Sequence, residues 1–365
     1  MKLSECIADR IRRTGPVSFH EFMEWCLYDP ELGYYTSKNN PIGTQGDFYT
    51  SPVLTPVFGT LLGKQLEEMW KQMGRLPFTI VEYGAGTGHL CRDIMNYLES
   101  NREMYAEMRY CIIEKSLPMR ERARKLVNDK VKWYNSISEI DQIHGCVLSN
   151  ELVDNFAVHR VVMKQELMEV YVDYQNGFAE CLLPAKQELK NYLAEMEICL
   201  ARDYATEINL DALGWICEVA SALKSGYVIT IDYGCRNPDL YSPIRSQGTL
   251  VCYYQHSVND SFYEHIGEQD ITSHVNFSAL SHWGQKNGLK ESGYTEQGYF
   301  LSSLGFRNEL MKTLSNEPNI VRAAQKAAGL SHTLLMDMGS KYKVLIQEKG
   351  VVCDKLSGLE IFRGA

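Results

Sequence analysis

The sequence lacks the cysteine pattern of a disulfide framework or of a zinc site. Its 11 cysteines are scattered over 365 residues, with no CxxC pair and no regular spacing. An odd, dispersed set of cysteines is typical of reduced thiols in a cytosol. Histidines offer no alternative, because no metal-ligand spacing links His256, His274 and His282. The sequence therefore predicts no bound metal.

An excess of positive charge and a long apolar run are also missing. Asp and Glu outnumber Lys and Arg by 46 to 37, a formal net charge of −9, whereas nucleic acids and anionic membranes are bound by basic surfaces. No apolar run approaches the ~18 residues that span a bilayer. Glu5 and Asp9 interrupt the amino-terminal helical pattern, unlike a signal or transit peptide. We expect a cytoplasmic bacterial protein, with no nucleic acid partner and no stable membrane insertion.

The sequence does contain a regular alternation of strands and helices. From residue 78 onward, apolar strand patterns alternate with helical patterns, which predicts a mainly parallel, doubly wound α/β sheet. The strands of this series are predicted at 78–86, 109–116, 131–136, 145–151 and 226–234. Toward the carboxyl terminus we predict a helix at 278–287, a strand near 290–297, helices from 306 to 329 and a strand at 341–349.

Two stretches depart from this alternation and divide the chain into four segments. Residues 1–77 form a helical segment, in which Ser18 and Glu21 fit a capping box and the loop 37–52 is long enough to act as a lid. Residues 160–222 read as antiparallel strands with a turn at 175–177, followed by helices near 186–203 and 211–224. We interpret them as an inserted smaller lobe that lies over the crevice side of the sheet. The core is then made of 78–159 and 223–365.

The glycine turn after the first strand carries the sharpest chemical signal. In VEYGAGTGHL, Gly84 and Gly86 allow a ligand to approach the backbone closely. The spacing is not the GxGxxG of dinucleotide sites, because His89 stands at the third glycine position. Glu82 is unfavourable beside a pyrophosphate but suits a cationic ligand without phosphate. S-adenosylmethionine has an ammonium and a sulfonium, so we predict this cofactor and not a nicotinamide dinucleotide.

The next strand ends supply the other parts of a cofactor site, since ligands bind outside the carboxyl ends of such strands. Glu114 ends the second strand and is placed to accept from ribose hydroxyls. The third strand ends in Trp133, Tyr134, Asn135 and Ser136, which can frame and hydrogen-bond an adenine. Each element also has an ordinary structural explanation, because glycine turns and solvated acids occur in many strand–helix units. Their succession on three strand ends favours a methyltransferase.

Several further motifs, spread over nearly the entire chain, resemble those of one family. They are DPELGYYT (29–36), GDFYTSP (46–52), SNELVDNFAVHR (149–160), GTLVCYYQH (248–256) and GEQDITSHVNFSAL (267–280). With the glycine turn, they are similar to the MidA-like methyltransferases, which include a mitochondrial complex I assembly factor that methylates an arginine. The resemblance implies a seven-stranded, Rossmann-like class I methyltransferase sheet with antiparallel carboxyl-terminal strands. The chain departs from the family at Ala85, where a proline is common, and at Asn276, where aspartate is frequent; the second departure leaves an acid role there open.

The acceptor is expected just after the fourth strand. A planar guanidinium is held bidentately by carboxylates, so we predict that Glu151 binds it, with Asn150 orienting and Asp154 supporting. Asn150 could instead cap a following helix, with Asp154 favourable near its dipole. Asp232, at the end of the fifth strand, is a further candidate, although it could be a turn residue. The predicted cofactor-binding residues are Glu82, Tyr83, Gly84, Ala85, Gly86, Glu114, Asn135, Ser136, Asp47 and Thr50.

Three functions stay open at this point. The first is a protein-arginine methyltransferase that acts on a respiratory complex I-like subunit. The second is an assembly chaperone that binds S-adenosylmethionine with little turnover. The third is a methyltransferase for a small molecule; methylation of nucleic-acid bases is disfavoured, because SNEL replaces their (D/N/S)PP(Y/F/W) motif. The target, the degree of methylation and the oligomeric state are left open, a homodimer being one option.

Overall fold

A computed structural model describes residues 2–37, 47, 49–315, 317–351 and 355–360. Its α-helices are α1 (Leu3–Thr14), α2 (Phe19–Tyr28), α3 (Ser51–Leu54), α4 (Pro56–Gln72), α5 (His89–Leu98), α6 (Arg102–Glu107), α7 (Leu117–Arg124), α8 (Gln187–Glu195), α9 (Leu210–Ala222), α10 (Phe277–Lys286), α11 (Gln297–Ser303), α12 (Phe306–Leu314), α13 (Ile320–Ser331) and α14 (Met338–Lys341). A π-helix spans His332–Asp337. Short 3-10 helices span Ile137–Glu139, Val153–Asn155, Pro243–Arg245 and Ser357–Leu359.

The strands are β1 (Val17–Ser18), β2 (Thr79–Tyr83), β3 (Arg109–Ile113), β4 (Val131–Tyr134), β5 (Ile143–Asn150), β6 (His159–Met163), β7 (Leu167–Tyr174), β8 (Phe178–Pro184), β9 (Ala205–Ile208), β10 (Leu223–Cys235), β11 (Val251–Tyr254), β12 (Ser257–Asn259), β13 (Asp270–Thr272), β14 (Val275–Asn276), β15 (Lys290–Glu296) and β16 (Tyr342–Lys349). Among the described residues, no helix is both long and apolar enough to cross a bilayer.

The contacts divide the chain into two compact units, each made of three segments. Unit 1 comprises Met1–Phe48, Val153–Trp215 and Gly234–Leu280. Unit 2 comprises Tyr49–Leu152, Ile216–Tyr233 and Ser281–Ala365. The domain limits given above from the sequence stay a prediction. Most of the loop 37–52 lies outside the described residues, so the lid also stays a prediction.

Seven strands in unit 2 form the main path of the central sheet, which confirms the predicted fold class. An eighth strand, β14, pairs in parallel with Gly234 and Cys235 at the end of β10. The strand order is β15-β16-β10-β5-β2-β3-β4. Neighbours among β10, β5, β2, β3 and β4 run parallel, whereas β16 runs antiparallel to both β10 and β15. The inner parallel strands β2, β5 and β10 are largely buried on both faces, as expected when helices cover the two sides of a sheet, whereas only Val131 is buried in the edge strand β4.

The core of unit 2 is formed by this sheet and by helices that follow or precede its strands. Leu62 and Leu66 of α4 are fully buried in the same cluster as Ile80, Ile112 and Leu148 of the sheet. Helix α4 begins where the sequence predicts, with Pro56 in its first turn and the Thr55 hydroxyl accepting from the Val57 N–H. The missing N–H of proline costs nothing at that position.

The strand order places a crevice at one edge of the sheet. From β2 the chain moves outward to β3 and β4, and then returns to the other side of β2 as β5. In such a sheet the connections after β2 and β5 diverge, which leaves room for a ligand outside the carboxyl ends of these strands. The register pairs Tyr83 with Ser149, so the chain leaves both strands at the same level.

Unit 1 contains antiparallel strands, the two amino-terminal helices and α8. Strands β1, β7, β6 and β9 form one sheet, with β8 added to β7 through the predicted turn at 175–177. The capping box is confirmed, since the Ser18 hydroxyl accepts from the Glu21 N–H and the Glu21 carboxylate from the Ser18 N–H. The apolar faces of α1 and α2 are buried, with Ile7 and Phe22 in the core.

The sequence missed or misplaced several elements. The sheet of β12, β11 and β13 was not expected, because strands of three or four residues show too little periodicity. Helix α11 was also missed. The helix expected over 186–203 stops at Glu195, since Glu197 has φ +55° and a left-handed residue cannot continue an α-helix.

Candidate functional site

The glycine turn after β2 has a backbone that L side chains rarely adopt. Gly84 has φ +67° and Gly86 has φ +51°. The Gly84 N–H donates to the Ile113 carbonyl at 2.9 Å, which ties the turn to β3. A Cβ on Gly84 would stand 2.8 Å from Leu152 Cδ1, whereas one on Gly86 would meet no atom of the described residues within 4 Å. The turn is therefore packed at Gly84 and open at Gly86.

Glu114 connects this turn to the end of β3. Its carboxylate accepts from the Gly86 N–H at 3.1 Å and from the Ser116 N–H at 2.8 Å. Burial raises the pKa of the Glu114 carboxyl, and these two backbone hydrogen bonds oppose the shift. A carboxylate has about four acceptor positions, so positions remain for hydroxyl donors. The carboxylate lies where the sequence predicts a ribose contact.

Glu82 is a buried acid inside the sheet. It is 2% exposed, and its Oε2 accepts from the Tyr110 hydroxyl at 2.6 Å. Burial raises the pKa of the Glu82 carboxyl to about 7; the Tyr110 hydrogen bond opposes the shift and the nearby Glu114 adds to it. Burial also raises the pKa of Tyr83, the last residue of β2. A cation placed beside Glu82 would favour the ionised carboxylate.

The end of β4 is the least enclosed part of the predicted site. Asn135 is exposed, and its Oδ1 accepts from Arg120 Nη1 at 3.0 Å. The Ser136 hydroxyl accepts from the Ser138 N–H at 3.2 Å and caps a 3-10 helix. The guanidinium carbon of Arg120 lies over the ring of Trp133, 5.6 Å from the centre of that ring. The adenine contacts predicted for Asn135 and Ser136 stay a prediction.

Glu151 leaves β5 in a strained conformation. Its φ is +52°, a region that costs a non-glycine residue about 1–3 kcal/mol and is concentrated at functional sites. Its N–H donates to the Ile231 carbonyl at 2.9 Å. The carboxylate accepts from the Ser51 N–H at 3.3 Å, from Asn150 Nδ2 at 3.1 Å and from the Tyr342 hydroxyl at 3.0 Å. The protein therefore holds this carboxylate in one orientation.

The helix cap considered for Asn150 is not what the structure contains. No α-helix begins after β5, because Glu151 is left-handed and a three-residue 3-10 helix starts only at Val153. Instead Asn150 donates to Glu151, and its buried Oδ1 has no hydrogen-bond partner among the described residues. Two neighbouring hydroxyls, Ser149 Oγ and Thr230 Oγ1, are likewise buried without a partner in the described part of the chain. These atoms are available to a ligand, since buried polar groups normally find a partner.

Asp232 anchors the chain after β5 from the neighbouring strand. It is fully buried in β10, and its Oδ2 accepts from the Leu152 N–H at 3.2 Å. Its Oδ1 accepts from the Tyr233 N–H at 2.9 Å. These contacts support the loop that carries Glu151. Thr50 lies in unit 2 too, half-buried before α3, with its carbonyl accepting from the Val53 N–H.

Two other predicted residues, Asp47 and Asp154, lie in unit 1. Asp47 accepts from the Tyr34 hydroxyl at 2.9 Å and from the Gln255 N–H at 2.5 Å. Both acids affect the ionisation of Asp270. Burial raises the pKa of the Asp270 carboxyl well above its usual range, and the negative charges of Asp154 and Asp47 raise it further. Sequence reasoning missed Asp270, although it stands inside the motif at 267–280. Its partner is the Tyr35 hydroxyl, at 2.9 Å from both oxygens.

Asn276, where the resembled family often has aspartate, has a structural role. Its Oδ1 accepts from the Ala279 N–H at 3.1 Å, which caps α10, and its Nδ2 donates to the Tyr192 and Tyr241 hydroxyls at 2.9 and 3.3 Å. Aspartate could cap equally well and accept from the hydroxyls instead. An acid at this position is therefore compatible with the same contacts.

We expect Asn276→Asp to change the free energy of unfolding by less than about 0.5 kcal/mol, and Asn276→Ala to lower it by about 1 kcal/mol through loss of the cap. Urea denaturation followed by circular dichroism measures both. Equal losses in the two variants would contradict the capping role.

The chain is similar to known proteins along most of its length. Residues 61–295 match a family model described as "Putative S-adenosyl-L-methionine-dependent methyltransferase". Among curated proteins, the mitochondrial protein arginine methyltransferase NDUFAF7 homolog of Drosophila melanogaster is 25% identical over 97% of this chain and 86% of its own. The Mus musculus NDUFAF7 protein is 26% identical, over 91% and 81%.

A solved structure is similar over almost the entire chain. It is a Burkholderia thailandensis protein bound to S-adenosyl-homocysteine, with a TM-score of 0.87 and 28% sequence identity. The match covers 99% of this chain and 95% of that one. A native structure from the same organism gives a TM-score of 0.85.

Proposed function

Because the chain belongs to this family of S-adenosyl-L-methionine-dependent methyltransferases, we propose that it methylates the guanidinium of an arginine in a protein. Its curated relatives are named protein arginine methyltransferases, which supports this acceptor. The observation that carries the proposal is the Glu151 carboxylate, held at the carboxyl end of β5 by three donors. On the family resemblance, we further propose that the substrate is a subunit of a respiratory complex I-like enzyme.

The residues at the carboxyl ends of β2, β3 and β5 fit S-adenosylmethionine. Among the described residues, the space beside Gly86 is open and any Cβ would project into it, and the buried Asn150 Oδ1 and Ser149 Oγ have no partner there. Glu82 and Glu114 supply carboxylates and no phosphate-binding cation is needed. The cofactor, when bound, supplies a methyl group on a positively charged sulfur.

The contribution of the chain is to position the acceptor and exclude water. A carboxylate whose two oxygens are fixed can receive the parallel N–H groups of a guanidinium, which orients the plane of the acceptor. Fixing the attacking nitrogen in line with a bond that breaks can supply several kcal/mol of the barrier. Methyl transfer would form an N–C bond as the methyl–sulfur bond breaks, which would leave a neutral thioether, and the nitrogen would lose one N–H proton to solvent. Glu151 compensates the positive charge of the acceptor throughout.

The test of the acceptor is transfer of labelled methyl groups. Lysate proteins from the source cell, freed of small molecules, are incubated with the protein and S-adenosylmethionine labelled in the methyl group. We expect label in methylarginine after complete hydrolysis. Label confined to lipid or metabolite fractions would overturn the arginine acceptor while leaving methyl transfer intact. The same assay with a complex I-like subunit tests the narrower substrate.

A pH dependence of cofactor binding follows from Glu82. Its pKa of about 7 means that half of the carboxyl is protonated near neutral pH. Because burial disfavours the ionised carboxylate, the fold loses stability as the pH rises from the usual pKa of an acid to about 7, the pKa of Glu82 in the fold. A cationic ligand favours the ionised form, so we expect S-adenosylmethionine to bind about tenfold more weakly at pH 6 than at pH 8.

Calorimetry in buffers of different ionisation enthalpy measures this effect as proton release on binding. The ligand's own amino group also titrates near neutral pH, so the matched control is Glu82→Gln. The Glu82→Gln protein should still show the proton release that comes from the ligand's amino group, and it should lack the proton release that comes from Glu82. Identical proton release by the two proteins would show that Glu82 is not linked to binding.

A further inference from the structure

Tyr342 is joined to Glu151 across 191 positions of the chain. Its hydroxyl donates to Glu151 Oε2 at 3.0 Å. Tyr342 is the first residue of β16, and β16 runs antiparallel to β10, with Tyr342 paired to Tyr233. The start of an antiparallel strand lies at the carboxyl ends of its parallel neighbours. The last strand therefore delivers its first side chain to the edge of the sheet at which the site is built.

The ring of Tyr342 is itself fixed by packing. It meets the ring of Tyr233 edge-on, with centres 5.5 Å apart and planes at 62°. Such edge-to-face pairs restrain both rings. Tyr233 directly follows Asp232, whose carboxylate accepts from its N–H and from the Leu152 N–H. The Tyr342 hydroxyl is thus placed by the same strand ends that place the loop after β5.

The three donors that the described residues supply to Glu151 are divided between its two carboxylate oxygens. Ser51 N–H and Asn150 Nδ2 both approach Oε1, whereas Tyr342 approaches Oε2. A bidentate guanidinium needs both oxygens in its plane. A donor on Oε2 opposes rotation of the carboxylate about its bond to the side chain, which would move both oxygens out of that plane. The hydroxyl of Tyr342 is such a donor.

We propose that Tyr342 is a positioning residue that fixes the plane of the Glu151 carboxylate for a guanidinium. This inference rests on the proposed arginine acceptor and extends it. Tyr342 acts through Glu151 and does not itself contact the reacting atoms. It limits the acceptor to planar groups with two parallel N–H donors, and disfavours a single ammonium, which needs no fixed plane.

The test uses Tyr342→Phe and binding of a guanidinium probe. With S-adenosyl-homocysteine present at saturation, N-acetyl-arginine methylamide is titrated into each protein by calorimetry. We expect Tyr342→Phe to bind the probe about tenfold more weakly, the usual effect of losing a hydrogen bond to a charged group. Affinity for S-adenosyl-homocysteine and the melting temperature should stay close to wild type. In steady-state assays, the loss should be larger in KM for the acceptor than in KM for the cofactor.

Tyr227→Phe is the matched control. Tyr227 lies in β10 of the same sheet, and its hydroxyl donates to Gln72 at 3.3 Å, outside the site. The variant removes a partnered hydroxyl from a buried tyrosine and should leave probe binding unchanged. Equal effects of the two variants on probe binding would overturn the role of Tyr342 and indicate a general loss of rigidity.

A double-mutant cycle with Glu151→Gln separates action through Glu151 from an independent effect. If Tyr342 acts through this carboxylate, adding Tyr342→Phe to Glu151→Gln should weaken probe binding by less than about twofold. Additive losses would overturn the proposal. Wild-type protein that binds S-adenosyl-homocysteine but no probe would overturn the arginine acceptor, and Tyr342's role with it. Probe binding that is unchanged in Tyr342→Phe would overturn the role of Tyr342 alone.

Discussion

Glu151→Gln is expected to lower methyl transfer to arginine about 100-fold. This is the size of effect expected when one charged partner is removed from a hydrogen-bonded ion pair, here the Glu151 carboxylate and the acceptor guanidinium. Glutamine keeps the shape of the side chain and removes the charge that compensates the guanidinium. Its amide N–H₂ would also face the N–H groups of the acceptor. Affinity for S-adenosyl-homocysteine should be kept, because Gly86, Glu82 and Glu114 are unchanged. Initial rates with labelled cofactor, together with calorimetry, measure both quantities.

Glu67→Gln provides the matched control for this variant. Glu67 lies on α4 in unit 2, and its carboxylate accepts from the Tyr97 hydroxyl and from Asn101 Nδ2, both at 2.8 Å. The substitution therefore removes the charge of another hydrogen-bonded carboxylate outside the site. It should leave transfer unchanged. Full transfer by Glu151→Gln would refute the assignment, and Asp154 would become the next carboxylate to test.

Gly86→Val is expected to weaken binding of S-adenosyl-homocysteine by roughly 100-fold or more, since a strained backbone position costs about 1–3 kcal/mol and the side chain also fills the open space beside Gly86. Gly86 has φ +51°, and valine is among the residues least suited to that region. The space into which its Cβ would project contains no atom of the described residues within 4 Å. Calorimetry and the shift of melting temperature on adding ligand measure the loss.

Gly74→Val separates backbone strain from loss of the ligand site. Gly74 follows α4 with φ +80°, and a Cβ there would also meet no atom of the described part of the chain within 4 Å. Both variants place valine at a left-handed position with open space around it. Gly74→Val should lose a similar amount of stability and still bind S-adenosyl-homocysteine normally. Normal binding by Gly86→Val would contradict the placement of the cofactor at this turn.

Much of the core fold was predictable because its signals are local. Apolar runs such as those of β2 and β5, separated by helical patterns, predict parallel strands with their carboxyl ends at one edge. The cap at Ser18 and the proline at the start of α4 are encoded within four residues. Glu114 and Glu151 were found as candidates for the same reason, since each directly follows an apolar strand.

The contacts that hold those candidates were not predictable. Tyr342 and Ser51 reach Glu151 from 191 and 100 positions away, and no periodicity in the sequence connects them. The left-handed conformation of Glu151 was hidden as well, because glutamate has no preference for it. Asp270 joins Asp47 and Asp154 only through the folding of unit 1.

The motifs of the chain identify its family, and its parallel sheet and glycine turn follow from local sequence, because strand and turn preferences depend on neighbouring residues. The atoms that fix the Glu151 carboxylate, and the carboxylates of unit 1 that lie near one another, are set only when the chain folds. Those arrangements depend on strand direction and register. The antiparallel direction of β16 brings Tyr342 to the edge of the sheet where the parallel strands end. Such pairings are set by the packing of the entire sheet, which no local stretch of sequence encodes.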